Sequence, residues 1–272
     1  MARGAGAGAD AEAGAPSFET IEVAADAGAR TGSIVLSRPS KLNAMSPTML
    51  AELVTAAAWF DSSTDAVAVV VRGSGRAFCA GFDLGSFGEQ RGPGDARDTA
   101  DLGRRMADAI TGMRAVTLAA VHGHCVGGGL VLAASCDLRV AEAGAMFSIP
   151  EVDLGIPLAW GGIPRLVREI GPAATKDLVM TCRRFDTDEA ARLGLISRVV
   201  DVGTAHATAD AIATDLARKS PLVLSMTKRH VNAIAEQSGS TSLSFLDADA
   251  LGAAQRDPAS RAAARDYLVR RR

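Results

Sequence analysis

From Ala115 to Cys136 the chain carries no Asp, Glu, Lys or Arg. A stretch this long without charge belongs either in a membrane or inside a fold. It approaches the ~20 apolar residues of a spanning helix. However, His122, Gly123, His124 and Gly127-Gly128-Gly129 interrupt it. A buried strand over Val116–Val121, a turn, and a buried helix over Gly128–Ala134 place the same residues without a bilayer. Ala66–Val71 is a second continuous apolar run and predicts a strand covered on both faces. Two such strands require layers of other structure around them.

The rest of the pattern supplies those layers. Phe18–Val23 and Ser33–Leu36 read as β segments. Ser46-Pro47 has the form of an N-cap with Pro at the first helical position and opens a helix to about Phe60. Gly85–Asp98 is polar and glycine-rich and is expected to be a mobile loop. Leu102, Met106, Ala109 and Met113 then recur at helical spacing. Leu138–Val140 and Met146–Ile149 read as short strands. Beyond Pro164 the segments Arg165–Ile170, Ala173–Met180, Asp188–Leu193, Ala205–Lys219, Leu222–Ala235, Ser242–Leu251 and Pro258–Tyr267 are all helical in pattern. Strands alternate with helices in the first two thirds and helices fill the last third, an α/β arrangement. The expected organisation is a disordered leader over 1–16, an α/β core over 17–200 and a helical region over 201–272.

Composition narrows the partners. A chain of 272 residues with 48% hydrophobic side chains is large enough for a substantial core. A formal charge of −2 gives no general attraction to nucleic acid or anionic membranes. Lys41, Lys176, Lys219 and Lys228 are the only lysines, so phosphate contacts are expected from Arg or backbone N–H groups. Cys79, Cys125, Cys136 and Cys182 are widely spaced without a C-x-x-C. Reduced thiols and a cytoplasmic location are expected.

Three short stretches carry chemistry: Phe78-Cys79-Ala80-Gly81-Phe82-Asp83, Gly127-Gly128-Gly129 and Pro150-Glu151. The glycines allow backbone N–H groups to approach a ligand closely. Gly128 falls at the first turn of the predicted helix, where N–H groups lack partners and the dipole favours negative charge. Glu151 places one carboxylate in an apolar setting, where desolvation raises its pKa toward that of a useful base. Donors for an oxyanion and a group that moves a proton are the parts that enolate chemistry requires. Taken singly, each feature has a plainer reading: glycines for tight turns, a solvated or capping glutamate. His122 and His124 form an H-x-H pair that would share one face of a strand, and a structural role is expected for them. Cys79 and Cys125, which flank the motifs, are expected to pack as small buried residues.

These motifs, with Ser37–Ala44, His122–Gly129, Cys136-Asp137 and Pro150–Gly155, resemble the enoyl-CoA hydratase/isomerase (crotonase) superfamily from about residue 18 to 267. The resemblance implies the crotonase fold, a spiral of β-β-α units with a helical C-terminal trimerisation region. It also implies homotrimers or dimers of trimers and a coenzyme A thioester as substrate. Matching positions make the N–H groups of Phe82 and Gly128 the oxyanion donors and Glu151 the acid/base. Arg38 lies in the segment that the family places near the nucleotide, and Lys41 is assigned to substrate binding with it. Ala80, Gly81, Asp83 and Leu84 are assigned to substrate binding from the first motif, and Gly127 from the second. Asp83 is also expected to hold the loop that positions Phe82.

The departures are informative. Hydratases of the family have two glutamates, and here Val131 occupies the first position. One carboxylate suits a proton shuttle, as in isomerases that move a 3-enoyl double bond to the 2-position. Trp160 stands where hydratases have a small residue, and its bulk narrows or caps the acyl pocket. The favoured expectation is therefore 3-enoyl-CoA to 2-enoyl-CoA isomerisation, with no metal or redox cofactor; coenzyme A enters only within the substrate. Hydration of 2-enoyl-CoA is the second reading. A non-catalytic acyl-CoA-binding relative is the third.

Overall fold

A computed structural model describes residues 14–88 and 93–270. The expected leader lies almost wholly outside the described residues. The first strands are β1 (Ile21–Asp26) and β2 (Thr31–Leu36), followed by α1 (Pro47–Ser63) and β3 (Ala68–Gly73). Next come α2 (Gly85–Gly88), α3 (Pro93–Gly112), β4 (Val116–Val121), β5 (His124–Val126) and α4 (Gly128–Ser135). The chain continues through β6 (Leu138–Glu142), β7 (Met146–Ser148), α5 (Gly162–Thr181), β8 (Phe185–Asp186), α6 (Thr187–Arg192) and β9 (Arg198–Val200). It ends in α7 (Ala205–Ala217), α8 (Pro221–Ser238), α9 (Asp247–Arg256) and α10 (Pro258–Arg270).

A six-stranded sheet has the order β1-β2-β3-β4-β6-β9. The β1–β2 pair is antiparallel and every other pairing is parallel. A smaller sheet has the order β5-β7-β8. The period of two along a strand divides the large sheet between two cores. Val69 and Val71 of β3, with Ala119 and Val121 of β4, face the main core against α1. Ala68, Val70, Leu118 and Ala120 face the opposite way and meet Ala205, Ala209 and Ala213 of α7. Alanines four residues apart give α7 a smooth stripe that lies close to the sheet. By its packing, α7 thus belongs with the sheet.

Two expectations change in detail. Gly85–Asp98 was expected to be a loop, but Gly85–Gly88 and the residues from Pro93 onward are helical. The Ala-rich, amphipathic continuation to Gly112 extends the second helix back to its initial Pro. The two helices expected beyond Pro164 form one segment, α5, interrupted at Gly171 (φ 75°, ψ 165°) before Pro172. Ser46 caps α1 as expected, its Oγ accepting from Met49 N at 3.2 Å.

Candidate active site

The first motif runs beside β5. Phe78 N donates to His122 O at 2.9 Å, Cys79 N to His124 O at 3.0 Å, and Val126 N to Cys79 O at 3.0 Å. On its other side, Ala80 N donates to Leu42 O, Met45 N to Gly81 O and Asp83 N to Met45 O. The segment around Phe82 is therefore fixed from two directions. Gly81 has φ 94°, and a Cβ there would lie 2.9 Å from Val126 O and 3.6 Å from Gly128 N. This approach brings the first glycine motif against the second, and a side chain would obstruct it.

The second motif turns β5 into α4. Gly127 is the N-cap, with φ 51° and ψ −118°. Its N–H donates to Ser148 O at 2.9 Å, tying the turn to β7. A Cβ on Gly129 would lie 2.6 Å from Cys79 O, so α4 also starts hard against the first motif. The Gly128 N–H lies in the first turn of this helix, on the wall of a cavity.

Glu151 follows β7 on a turn held by Leu154 N to Pro150 O and Ile156 N to Glu151 O. Its carboxyl carbon lies 3.2 Å from where a Gly127 Cβ would be. Glu151 Oε2 is buried and has no hydrogen-bond partner among the described residues. Burial pushes the carboxyl up to about 7, opposed only by its own backbone N–H. Phe82, Gly128, Val131, Glu151 and Trp160 all line one apolar cavity of about 60 Å³. Glu151 is the one ionisable side chain among the described residues that line it.

Trp160 is buried at φ 62° and meets Phe82 edge-on, with ring centres 5.9 Å apart. The indole covers Gly128 and fills the space beside Gly103 of α3, where a Cβ would collide with it. Thr99 and Ala100 of α3, Ile156, and Leu251 of α9 complete much of the wall. The motifs did not indicate these residues. Gly103 carried a signal nonetheless, as a glycine interrupting an amphipathic helix. Leu251 carried none, being a leucine at ordinary helical spacing.

The remaining expected site residues lie around the cavity. Arg38 Nη2 donates to Asp83 Oδ2 at 2.8 Å, and its Nη1 also binds Ala44 O. Burial opposes ionisation of Asp83, but the Arg38 guanidinium and the Gly85 N–H hold its carboxyl below its usual value. Arg38 and Asp83 thus brace the two segments that enclose Phe82, as expected of Asp83. Lys41 is exposed at the end of the Pro39–Lys41 3-10 turn, and neither it nor Arg38 lines the cavity. Leu84 lines a second cavity, of about 210 Å³, that shares Ile156 with the first. Ala80, Gly81 and Gly127 form the backbone behind Phe82 and Gly128. Cys79 and Cys125 are buried as expected, and burial pushes Cys79 and Cys136 up to about 12, away from thiolate chemistry.

The enoyl-CoA hydratase/isomerase family model matches residues 27–272. The chain is 37% identical over 239 residues to the probable enoyl-CoA hydratase echA8 of Mycobacterium bovis, covering 84% of this chain and 87% of that protein. It is 36% identical over 212 residues to the peroxisomal Delta(3,5)-Delta(2,4)-dienoyl-CoA isomerase of Arabidopsis thaliana, covering 72% and 74% respectively. Among solved structures, an enoyl-CoA hydratase/isomerase from Mycobacterium paratuberculosis superimposes with a TM-score of 0.84 at 27% identity, covering 92% of this chain and 100% of that one.

Proposed function

The chain belongs to the enoyl-CoA hydratase/isomerase family, and from that premise we propose that it shifts the double bond of a 3-enoyl-CoA to the 2-position. The observation that carries this reading is the single carboxylate of the cavity: Glu151 lines it, and Val131 stands where a second would. With the thioester carbonyl at the N–H groups of Phe82 and Gly128, Glu151 removes a proton from C2. The electrons of that C–H bond move into the thioester, giving a dienolate whose oxygen the two N–H groups hold. Glu151 then returns the proton at C4. A donor of this kind is worth about 2.7–4 kcal/mol of transition-state stabilisation. A carboxyl with a pKa near 7 serves well in both directions of the transfer.

Hydration of 2-enoyl-CoA is the competing reading, favoured by the 37% identity to a protein named as a hydratase. Water addition would then need a partner for Glu151, and the cavity wall offers the Thr99 hydroxyl. Product analysis on paired 2- and 3-enoyl-CoAs in deuterium oxide separates the two. Exchange at C2 with a shifted double bond and no added water supports isomerisation. Efficient formation of 3-hydroxyacyl-CoA transfers the assignment to hydration. Val131→Glu is expected to raise the hydrated fraction.

We also propose that the chain assembles as a homotrimer or a dimer of trimers. The outward Leu222, Val223, Met226, Val231 and Ile234 of α8 support burial of that face in an assembly. Four free cysteines support a reducing, cytoplasmic setting, and among the described residues no helix is long and apolar enough to cross a membrane.

A further inference from the structure

The H-x-H pair of the sequence does not stay together. Gly123 (φ 59°) ends β4 before β5 begins, which leaves His124 exposed and turns His122 into the interior. The partner of His122 comes instead from α7: the rings of His122 and His206 lie edge-to-face with centres 5.0 Å apart. They meet at the carboxyl edge of the large sheet, where β4 and β6 end and α7 begins, and where ligands of parallel sheets commonly bind.

Both rings present a nitrogen that no described residue satisfies. His122 is nine-tenths buried. Its Nε2 lies 3.0 Å from Gly75 O, an acceptor, so Nε2 donates there and Nδ1 is the ring nitrogen left open. Nδ1 is buried without a partner among the described residues, and so is Nε2 of His206. A buried polar atom without a partner is costly in a protein interior, and here there are two on adjacent rings. A backbone carbonyl that fixes the tautomer of the opposite nitrogen is the usual support of a metal-binding histidine. The spacing agrees: an ion about 2.0–2.1 Å from one nitrogen of each ring, at a tetrahedral angle, sets the ring centres about 5 Å apart.

We propose that His122 and His206 form a binding site for a first-row transition-metal ion such as Zn²⁺, remote from the acyl-CoA cavity, that ties α7 to the sheet edge. The surrounding charges are mixed. Glu142 at the end of β6 and Asp210 one turn along α7 favour a cation, while Arg72 opposes it and is itself paired with Asp210 at 3.0 Å. Among the described residues no group of three or more His, Cys, Asp or Glu could hold a metal, so water completes the coordination and the affinity is modest.

The test uses full-length protein free of any polyhistidine tag and stripped by chelator. ZnCl₂ is titrated by calorimetry, and CuCl₂ by electron paramagnetic resonance, which counts coordinated nitrogens. One ion per chain, two-nitrogen coordination and a raised thermal midpoint are expected for the parent and for the control His124→Gln. His122→Gln and His206→Gln are expected to weaken binding more than roughly tenfold. Circular dichroism verifies that these variants fold. If either variant fails to fold, the copper nitrogen count on the parent decides alone. No stoichiometric binding, a single coordinated nitrogen, or binding that folded variants leave unchanged overturns the site.

Discussion

Arg165 and Glu151 both meet the wall built around Trp160, and the fold treats these two buried ionisable groups in opposite ways. The Arg165 side chain is 2% exposed and donates to Trp160 O and Gly161 O at 3.2 Å and to Asp108 Oδ1 at 2.8 Å. Of its guanidinium nitrogens, Nε alone lacks a partner among the described residues. Among the described residues Glu151 has no counter-charge in its cavity, and its Oε2 has no partner. A paired buried charge fixes geometry, here the turn that presents Trp160. An unpaired one costs stability and stays free to exchange a proton. On the proposed reading, the contrast separates a residue that builds the site from one that acts in it.

The largest effect expected is at the unpaired group. Glu151→Gln preserves shape but cannot accept a proton, and turnover on enoyl-CoA should fall by about 10²–10⁴-fold. Acyl-CoA affinity measured by calorimetry should stay close to that of the parent. Near-parent turnover would break the comparison by showing that Glu151 is not the acting group.

The paired group should give the reverse pattern. Arg165→Met strands Trp160 O, removes one donor from Gly161 O and leaves Asp108 to Arg104 alone, at an expected cost of about 2–4 kcal/mol in denaturant unfolding. The half-exposed Asp108 keeps the figure below that of a fully enclosed pair. A variant as stable as the parent would show that the network is ornamental.

The pH dependence follows from the same contrast. The Glu151 pKa is raised to about 7 in the fold, from an ordinary 4.5. Between those values the folded state binds more protons than the unfolded one, so stability falls as pH rises and levels off above about 7. The contribution is at most about 3 kcal/mol, and Glu151→Gln should abolish it. Activity runs the other way, with kcat/KM rising through about pH 7 as the base form accumulates. A flat profile between pH 5 and 8 would place the acting group elsewhere.

Arg38 offers an intermediate case, since its pair with Asp83 is only partly shielded, at 21% and 14% side-chain exposure. Arg38→Ala should cost about 1 kcal/mol or less of stability. The reading of Arg38 as a nucleotide contact adds a second expectation: acyl-CoA affinity should weaken more at low salt than at high salt. Unchanged affinity at both would leave Arg38 as a brace alone.

The parts of the site set by local backbone were legible in the sequence. Gly81 and Gly127 adopt positive φ where the motifs place them, and Glu151 comes to the cavity from its apolar turn. What escaped were contacts between distant segments. Gly103 matters because an indole 57 residues later needs its missing side chain, and no local pattern encodes that. His122 was read with His124, two positions away, whereas the fold pairs it with His206 across the end of the sheet. Gly85–Asp98 was read as loop on its glycines and polar residues. The helix from Pro93 packs against α1 and α9, and tertiary contact of this kind overrides weak propensity.

The cavity wall includes Leu251, and Asp247 at the start of the same helix accepts from Gly161 N at 2.8 Å, beside Trp160. During synthesis, then, both glycine motifs and Glu151 leave the ribosome long before the pocket they serve can close. Catalytic competence becomes a late event, one that waits for α9. The connection just before α9 exposes Phe245, which makes it a natural point at which to undo that event. Brief chymotrypsin treatment should abolish turnover while the strand signal of the large sheet persists in circular dichroism. Full activity in the nicked protein would mean that α9 holds its place without the covalent link.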